Sequence, residues 1–259
     1  MTNQKKTVLI TGASGGIGKA LSDLFAANGY HLVLVARNEA KLIELSKFYQ
    51  EQYQTECLIL AKDLSRAEAP GEILETIQDK GLGIDILVNN AGFGINKPFA
   101  EIPFQEVLEM MYLNVAALTQ MTRLFLPAMM KEGQGRILNV GSVASFCPAP
   151  FWAVYNATKA YVLSFSEALA EELEGSGVTV TALCPGVTLT DFQCRAQMEK
   201  TSLLVKLNPM TAEQVAKIGY HALMKGRRVV VTGWINKLIT FSVRFLPRFL
   251  VPKTAKLMI

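Results

Sequence analysis

Short runs of apolar and β-branched residues alternate along this chain with longer stretches whose apolar positions recur every three or four residues. The short runs predict strands at Thr7 to Thr11, His31 to Ala36, Glu56 to Ala61, Asp85 to Asn89, Gly135 to Gly141, Val178 to Cys184 and Arg228 to Thr232. Several are apolar almost throughout, as strands covered on both faces must be. The periodic stretches predict helices at Gly18 to Asn28, Glu39 to Gln52, Pro70 to Lys80, Pro103 to Lys131, Val154 to Gly175 and Ala212 to Met224. Strand and helix in strict alternation imply an α/β fold: a Rossmann-type, doubly wound parallel sheet of about seven strands, with helices on both faces.

Composition agrees with one large core. Half of the 259 residues are hydrophobic and 19% are charged, and no Pro/Gly/Ser-rich linker or repeat divides the chain, so residues 1 to 259 read as a single domain. The polar start, Met1 to Lys6, leads straight into the first apolar run and leaves no room for a secretory signal, from which a cytoplasmic location is expected. The four cysteines show no C-x-x-C spacing and the two histidines are far apart, so neither a metal site nor a disulfide framework is expected.

The net charge of +4 is unevenly placed. From Gln214 onward there are nine Lys or Arg and no acid, leaving 17 basic against 22 acidic residues in the rest. Nucleic-acid binding fits poorly with that acidic remainder.

Two clusters carry chemistry. Thr11 to Gly18 follows the first strand and opens the first helix, where Gly12, Ser14, Gly15, Gly16, Ile17 and Gly18 would let backbone N–H groups approach a pyrophosphate. At the end of the second strand an acid would bond the ribose hydroxyls of NAD, but the chain reads Val35-Ala36-Arg37-Asn38. Arg37 suits a 2′-phosphate, so the expected cofactor is NADP(H). In the second cluster Tyr155 and Lys159 stand four apart on a predicted helix, with Ser142 upstream. An ammonium on the same helix face is expected to bring the phenol, ordinarily near pKa 10, toward the range useful for proton transfer.

With these residues in view, the chain resembles the short-chain dehydrogenase/reductase family from Thr7 to about Thr232. The glycine motif T-G-x-x-x-G-x-G matches Thr11, Gly12, Gly16 and Gly18; N-N-A-G matches Asn89 to Gly92; Y-x-x-x-K matches Tyr155 and Lys159; Asn114, Ser142 and Pro185-Gly186 fall in order. The resemblance implies an NADP-dependent oxidoreductase interconverting a ketone or aldehyde and an alcohol, on an apolar or acyl-like substrate. It implies Tyr155 as general acid, Lys159 on the cofactor ribose, Ser142 as donor to the substrate oxygen, and Asn114 supporting a proton relay. It places Asp63 and Leu64 at the adenine, Asn90, Ala91 and Gly92 along the ribose and nicotinamide channel, and Pro185, Gly186, Thr188 and Thr190 over the carboxamide and pyrophosphate. Relatives with NADP often carry a basic residue where this chain has Gly15, which leaves Arg37 with less help. By the same likeness the two long helices, Pro103 to Lys131 and Val154 to Gly175, would pair subunits into a homodimer or homotetramer.

Two segments stay open. Residues 188 to 212 are where the family builds a substrate lid, with Phe192, Met198, Leu203 and Leu204 as an apolar lining or as plain packing. Trp234 to Val251 reads as a basic amphipathic helix in an extension reaching Ile259: Trp234, Ile235, Leu238, Phe241, Phe245 and Phe249 on one face, and Lys237, Thr240, Arg244 and Arg248 on the other, with Pro247 as a possible break. Either that face lies on an anionic membrane, or it covers the active site or a neighbouring subunit. The alternatives to an enzyme are a non-catalytic NADP-binding regulator and a membrane-surface protein on the same fold.

Overall fold

The computed structural model describes residues 5–190, Phe192, Ala196 and 209–258. Seven parallel strands form one sheet: β1 (Thr7–Thr11), β2 (His31–Ala36), β3 (Cys57–Ala61), β4 (Ile86–Asn89), β5 (Gly135–Val140), β6 (Val178–Cys184) and β9 (Val229–Val231). Their order is β3-β2-β1-β4-β5-β6-β9, so the winding reverses between β1 and β4. Every predicted strand is present, with ends moved by no more than a residue. A two-stranded parallel ladder of β7 (Thr188–Leu189) and β8 (Met210–Thr211) was not predicted; two residues per strand are too few for a period to show.

Period-two alternation distributes the strand side chains between two cores. Val8 and Ile10 of β1, with Leu32 and Leu34 of β2, join Leu21 and Phe25 of α1 (Gly16–Ala27), Leu42 and Tyr49 of α2 (Glu39–Tyr53) and Val215 and Leu223 of α7 (Ala212–Met224). Leu9, Val33 and Val35 point the other way. They meet Ile73 of α3 (Ala69–Asp79), Met121 and Phe125 of α5 (Leu118–Lys131) and Leu169 of α6 (Ala153–Glu172). A fully buried side chain of this size contributes about 1.5–3 kcal/mol, which makes both faces of the sheet the main source of stability. A buried polar string then fixes α5 and α6 on the sheet. Asn89 donates to Thr122 Oγ1 (3.0 Å) and Asn139 Oδ1 (2.9 Å), and Asn139 donates to Ser166 Oγ (2.9 Å).

Two predicted helices are not continuous. The stretch from Pro103 to Lys131 divides into α4 (Phe104–Met111), a π-helical turn (Tyr112–Ala117) and α5. Such turns insert a residue into the ladder and cluster at functional sites, and this one contains Asn114. The C-terminal stretch also breaks, into α8 (Trp234–Ser242), a 3-10 turn (Val243–Phe245) and α9 (Val251–Met258). Leu246 is extended (φ −82°, ψ 134°) because it precedes Pro247, whose ring disfavours helical backbone in the residue before it.

One residue of α8 departs from its expected face: Thr240, placed on the polar face by sequence, is 6% exposed, whereas Trp234 is 70% exposed and Phe245, in the 3-10 turn, 73% exposed. No helix among the described residues is long and apolar enough to cross a membrane. Of the lid region, Met198, Leu203 and Leu204 lie outside the described residues, while Phe192 and Ala196 pack beside Trp152 and Tyr155.

Candidate active site

The reversal of winding between β1 and β4 opens a crevice at the carboxyl ends of the strands, the place where open α/β sheets take ligands. Thr11, last residue of β1, ties the two strand ends together. Its Oγ1 donates to Val88 O (3.2 Å) and accepts from Asn90 N (2.9 Å) and Ala91 N (3.0 Å). Asn90 returns the contact, donating to Thr11 O (2.9 Å) and Gly12 O (3.3 Å).

The glycine turn is shaped by these contacts. Gly12 has φ +67° and Gly16 φ +51°, values that side-chain-bearing residues rarely adopt. Gly18 is needed for a different reason: a Cβ there would sit 2.2 Å from Gly12 O and 2.5 Å from Asn90 Nδ2. The first turn of α1 has neither a side-chain cap nor an acid, so its N–H groups are left for an anion. This is a fit to the pyrophosphate of a dinucleotide, argued from the donors themselves.

A cleft of about 740 Å³ runs from this turn across the sheet. Its walls bring together Gly12, Ser14, Gly15, Gly16, Ile17, Arg37, Asp63, Leu64, Asn90, Ala91 and Gly92 with Ser142, Tyr155, Lys159, Pro185, Gly186, Thr188 and Thr190. Gly18 and Asn114 are the two expected site residues that stand behind the wall. Asn114 donates to Phe93 O (2.8 Å) and Thr158 Oγ1 (3.1 Å), and accepts from Phe93 N (3.1 Å). It thus fastens the segment after β4 to α6 from within the π turn.

The carboxyl end of β5 and the start of α6 position the reactive groups. Ser142 caps the 3-10 turn Val143–Phe146, its Oγ accepting from Ala144 N (3.1 Å), and it lines the cleft together with Tyr155. Asn156 donates to Cys147 O (2.7 Å) and pins the first turn of α6. Lys159 Nζ donates to Val140 O (2.8 Å) and lies 5.8 Å from the centre of the Tyr155 ring. The ring packs against Trp152 (5.3 Å) and Phe192 (5.6 Å).

Burial dominates the electrostatics. It pushes the Tyr155 phenol up to about 12, opposed by the neighbouring Ser142 hydroxyl, and pulls Lys159 down to about 8. In this geometry, then, the lowering of the phenol comes from Ser142, while Lys159 spends its proton on a main-chain carbonyl. A phenol so placed is held protonated near neutral pH, the form a proton donor needs, although burial makes it a weaker acid than a free phenol.

The family model described as short chain dehydrogenase matches residues 6–201. The chain belongs to the short-chain dehydrogenase family. The dehydrogenase is 33% identical over 257 residues to the very-long-chain 3-oxoacyl-CoA reductase of Rattus norvegicus, a match covering 95% of this chain and 77% of the relative. It is 34% identical over 181 residues to the ketoacyl reductase HetN of a Nostoc species, covering 70% of this chain and 63% of that protein. Among solved structures it is similar to a short-chain dehydrogenase from Sphingobium yanoikuyae in complex with NADPH, with TM-score 0.83, 29% identity and 93% of each chain covered. It is also similar to the bulky-bulky ketone specific alcohol dehydrogenase of Comamonas testosteroni, with TM-score 0.79 and 28% identity over 94% of this chain and 93% of that one.

Several residues of the dehydrogenase's cleft were missed by sequence reasoning. Lys62 lines it alongside Arg37, its Nζ held 2.5 Å from Glu72 Oε2, and Arg37 Nη1 lies 3.8 Å from Asp63 Oδ2. Lys62 adjoins Asp63 in sequence, which was a usable signal. Asn236 of α8 packs so closely on Gly186 that a Cβ there would meet its Nδ2 at 2.2 Å. Ile239, Val243, Leu246 and Val251 then wall the cleft with apolar side chains from the C-terminal segment. Nothing local marks them out, since they alternate with residues that face outward.

Proposed function

We propose that this protein uses NADPH to reduce the 3-oxo group of an apolar acyl substrate to a hydroxyl. The observation that carries the reading is the convergence of Ser142, Tyr155 and Lys159 on one cleft that Ile239, Val243, Leu246 and Val251 also line. Relatives named as 3-oxoacyl-CoA reductases support the same substrate class. Arg37 and Lys62, both at the adenine end, favour a 2′-phosphate over a free 2′-hydroxyl.

Bound NADPH would supply the hydride to the carbonyl carbon. Tyr155 Oη gives its proton to the carbonyl oxygen, Ser142 Oγ donates a hydrogen bond to the same oxygen, and the product is the alcohol. Lys159 stands beside the phenol and restores positive charge near the phenolate that this transfer leaves. Asn114 holds Phe93 and, through Thr158, the turn of α6 that carries Tyr155. Trp152 and Phe192 keep water from the ring.

The enzyme pairs with further copies through the exposed Phe104, Leu108 and Met111 of α4 and Tyr161 of α6, apolar groups that a monomer would leave wet.

The test is NADPH oxidation by the purified protein with 3-oxoacyl thioesters of increasing chain length, beside ketosteroids and keto sugars. Turnover should rise with chain length and be lost in Tyr155→Phe with NADPH binding retained. Absence of turnover on every acyl substrate, or full activity in Tyr155→Phe, overturns the reading.

A further inference from the structure

The C-terminal segment has two faces of opposite character. Inward, Ile239, Val243, Leu246 and Val251 line the cleft. Outward, Trp234, Leu238, Phe241, Phe245 and Phe249 stand more than half exposed, and Phe241 and Phe245 stack edge-on at 5.1 Å. Solvent-exposed Lys237, Arg244, Arg248, Lys253 and Lys256 are interspersed with them. No acid occurs from Gln214 to the end of the chain.

We propose that this outward face seats the enzyme on an anionic phospholipid bilayer. Large aromatics beside Lys and Arg are what an interfacial segment needs: apolar groups enter the acyl boundary while cations remain with the phosphates. A second copy of the chain is a poorer occupant. In a two-fold contact each patch meets itself, which sets cation against cation with no acid of the segment to offset them. A head-to-tail contact onto the acidic remainder of another copy would have to close as a ring or run on into filaments. The proposal does not depend on the substrate assigned above.

The test is flotation of the full chain with phosphatidylcholine vesicles, with and without phosphatidylglycerol. Binding should require the anionic lipid and be lost at high salt, where the screening length shortens. At about a factor of five per cation, Arg244→Gln with Arg248→Gln should weaken partitioning about 30-fold and leave turnover of a water-soluble ketone unchanged. Phe241→Ala with Phe245→Ala and Phe249→Ala should abolish binding without changing the oligomeric state. Equal partitioning to both vesicle types, no binding to either, or unaltered binding by both variants overturns the proposal. So does dissociation of an oligomer in the triple variant, which would make the patch a subunit contact.

Discussion

Lys159→Met isolates the cost of the buried ammonium. In the cofactor-free protein Lys159 is 6% exposed, its pKa is drawn from 10.5 to about 8, and its hydrogen-bond partner is Val140 O. A depression of that size corresponds to about 3 kcal/mol of unfavourable differential solvation. Methionine keeps the length of the side chain and removes the charge, giving up one hydrogen bond from a charged donor, worth about 2 kcal/mol. The variant should therefore be about 1 kcal/mol more stable at pH 7, a rise in Tm of roughly 2–4 °C for a domain of this size.

The pH dependence follows from the direction of the shift. Between about 8 and 10.5 the unfolded state holds the Lys159 proton more tightly than the native state, so wild-type stability gains as pH rises through that window. The penalty is full below pH 8 and gone above 10.5, and the advantage of the variant should close by about pH 10. Paired thermal and urea melts at pH 7 and pH 10 measure this, with turnover assayed beside them and expected to be lost. A variant less stable than wild type at pH 7, or a gap unchanged between the two pH values, would refute the account.

Gly18→Ala places a Cβ against Gly12 O and Asn90 Nδ2, both held by the sheet, and should cost about 3 kcal/mol in a urea melt together with dinucleotide binding. Gly15 is the opposite case, with extended backbone (φ −169°) and nothing within 4 Å of an added Cβ. Gly15→Arg should raise the preference for NADPH over NADH about tenfold in kcat/KM without altering Tm. Arg37→Ala should lower that preference by a similar factor, the contact being discounted for an arginine side chain that is 59% exposed. Asn114→Ala withdraws the amide that bonds both main-chain groups of Phe93 and should cost about 2–3 kcal/mol in stability, with a fall in kcat larger than any change in KM.

The strands were legible because a parallel strand buried on both faces needs an apolar run, and runs such as Leu32 to Val35 have no other economical use. The glycines were legible because positive φ and close approach exclude other residues at Gly12, Gly16 and Gly18. What failed did so where the local signal is shared by different structures. The residue inserted by the π turn slips the apolar stripe of Pro103 to Lys131 by one position, about 100°, which is no wider than the stripe itself and so does not stand out in the pattern. Thr240 was placed on the polar face and is buried, its hydroxyl bonded only within the segment, to Lys237 O (3.1 Å), a contact that leaves the choice of face to the packing around it.

By itself, then, the order of residues determined the winding of the sheet, the phosphate turn at its switch point and the Tyr155–Lys159 pairing on one helix face, because each follows from periods and conformations local to a few residues. Tertiary structure alone decided how deeply that pair is buried, and hence a phenol held up near 12 and an ammonium brought down near 8. It alone decided which side of the C-terminal segment meets the cleft. Solvation depends on everything packed around a group, and those neighbours come from β4, β5, α6 and α8, too far apart along the chain for any local pattern to encode.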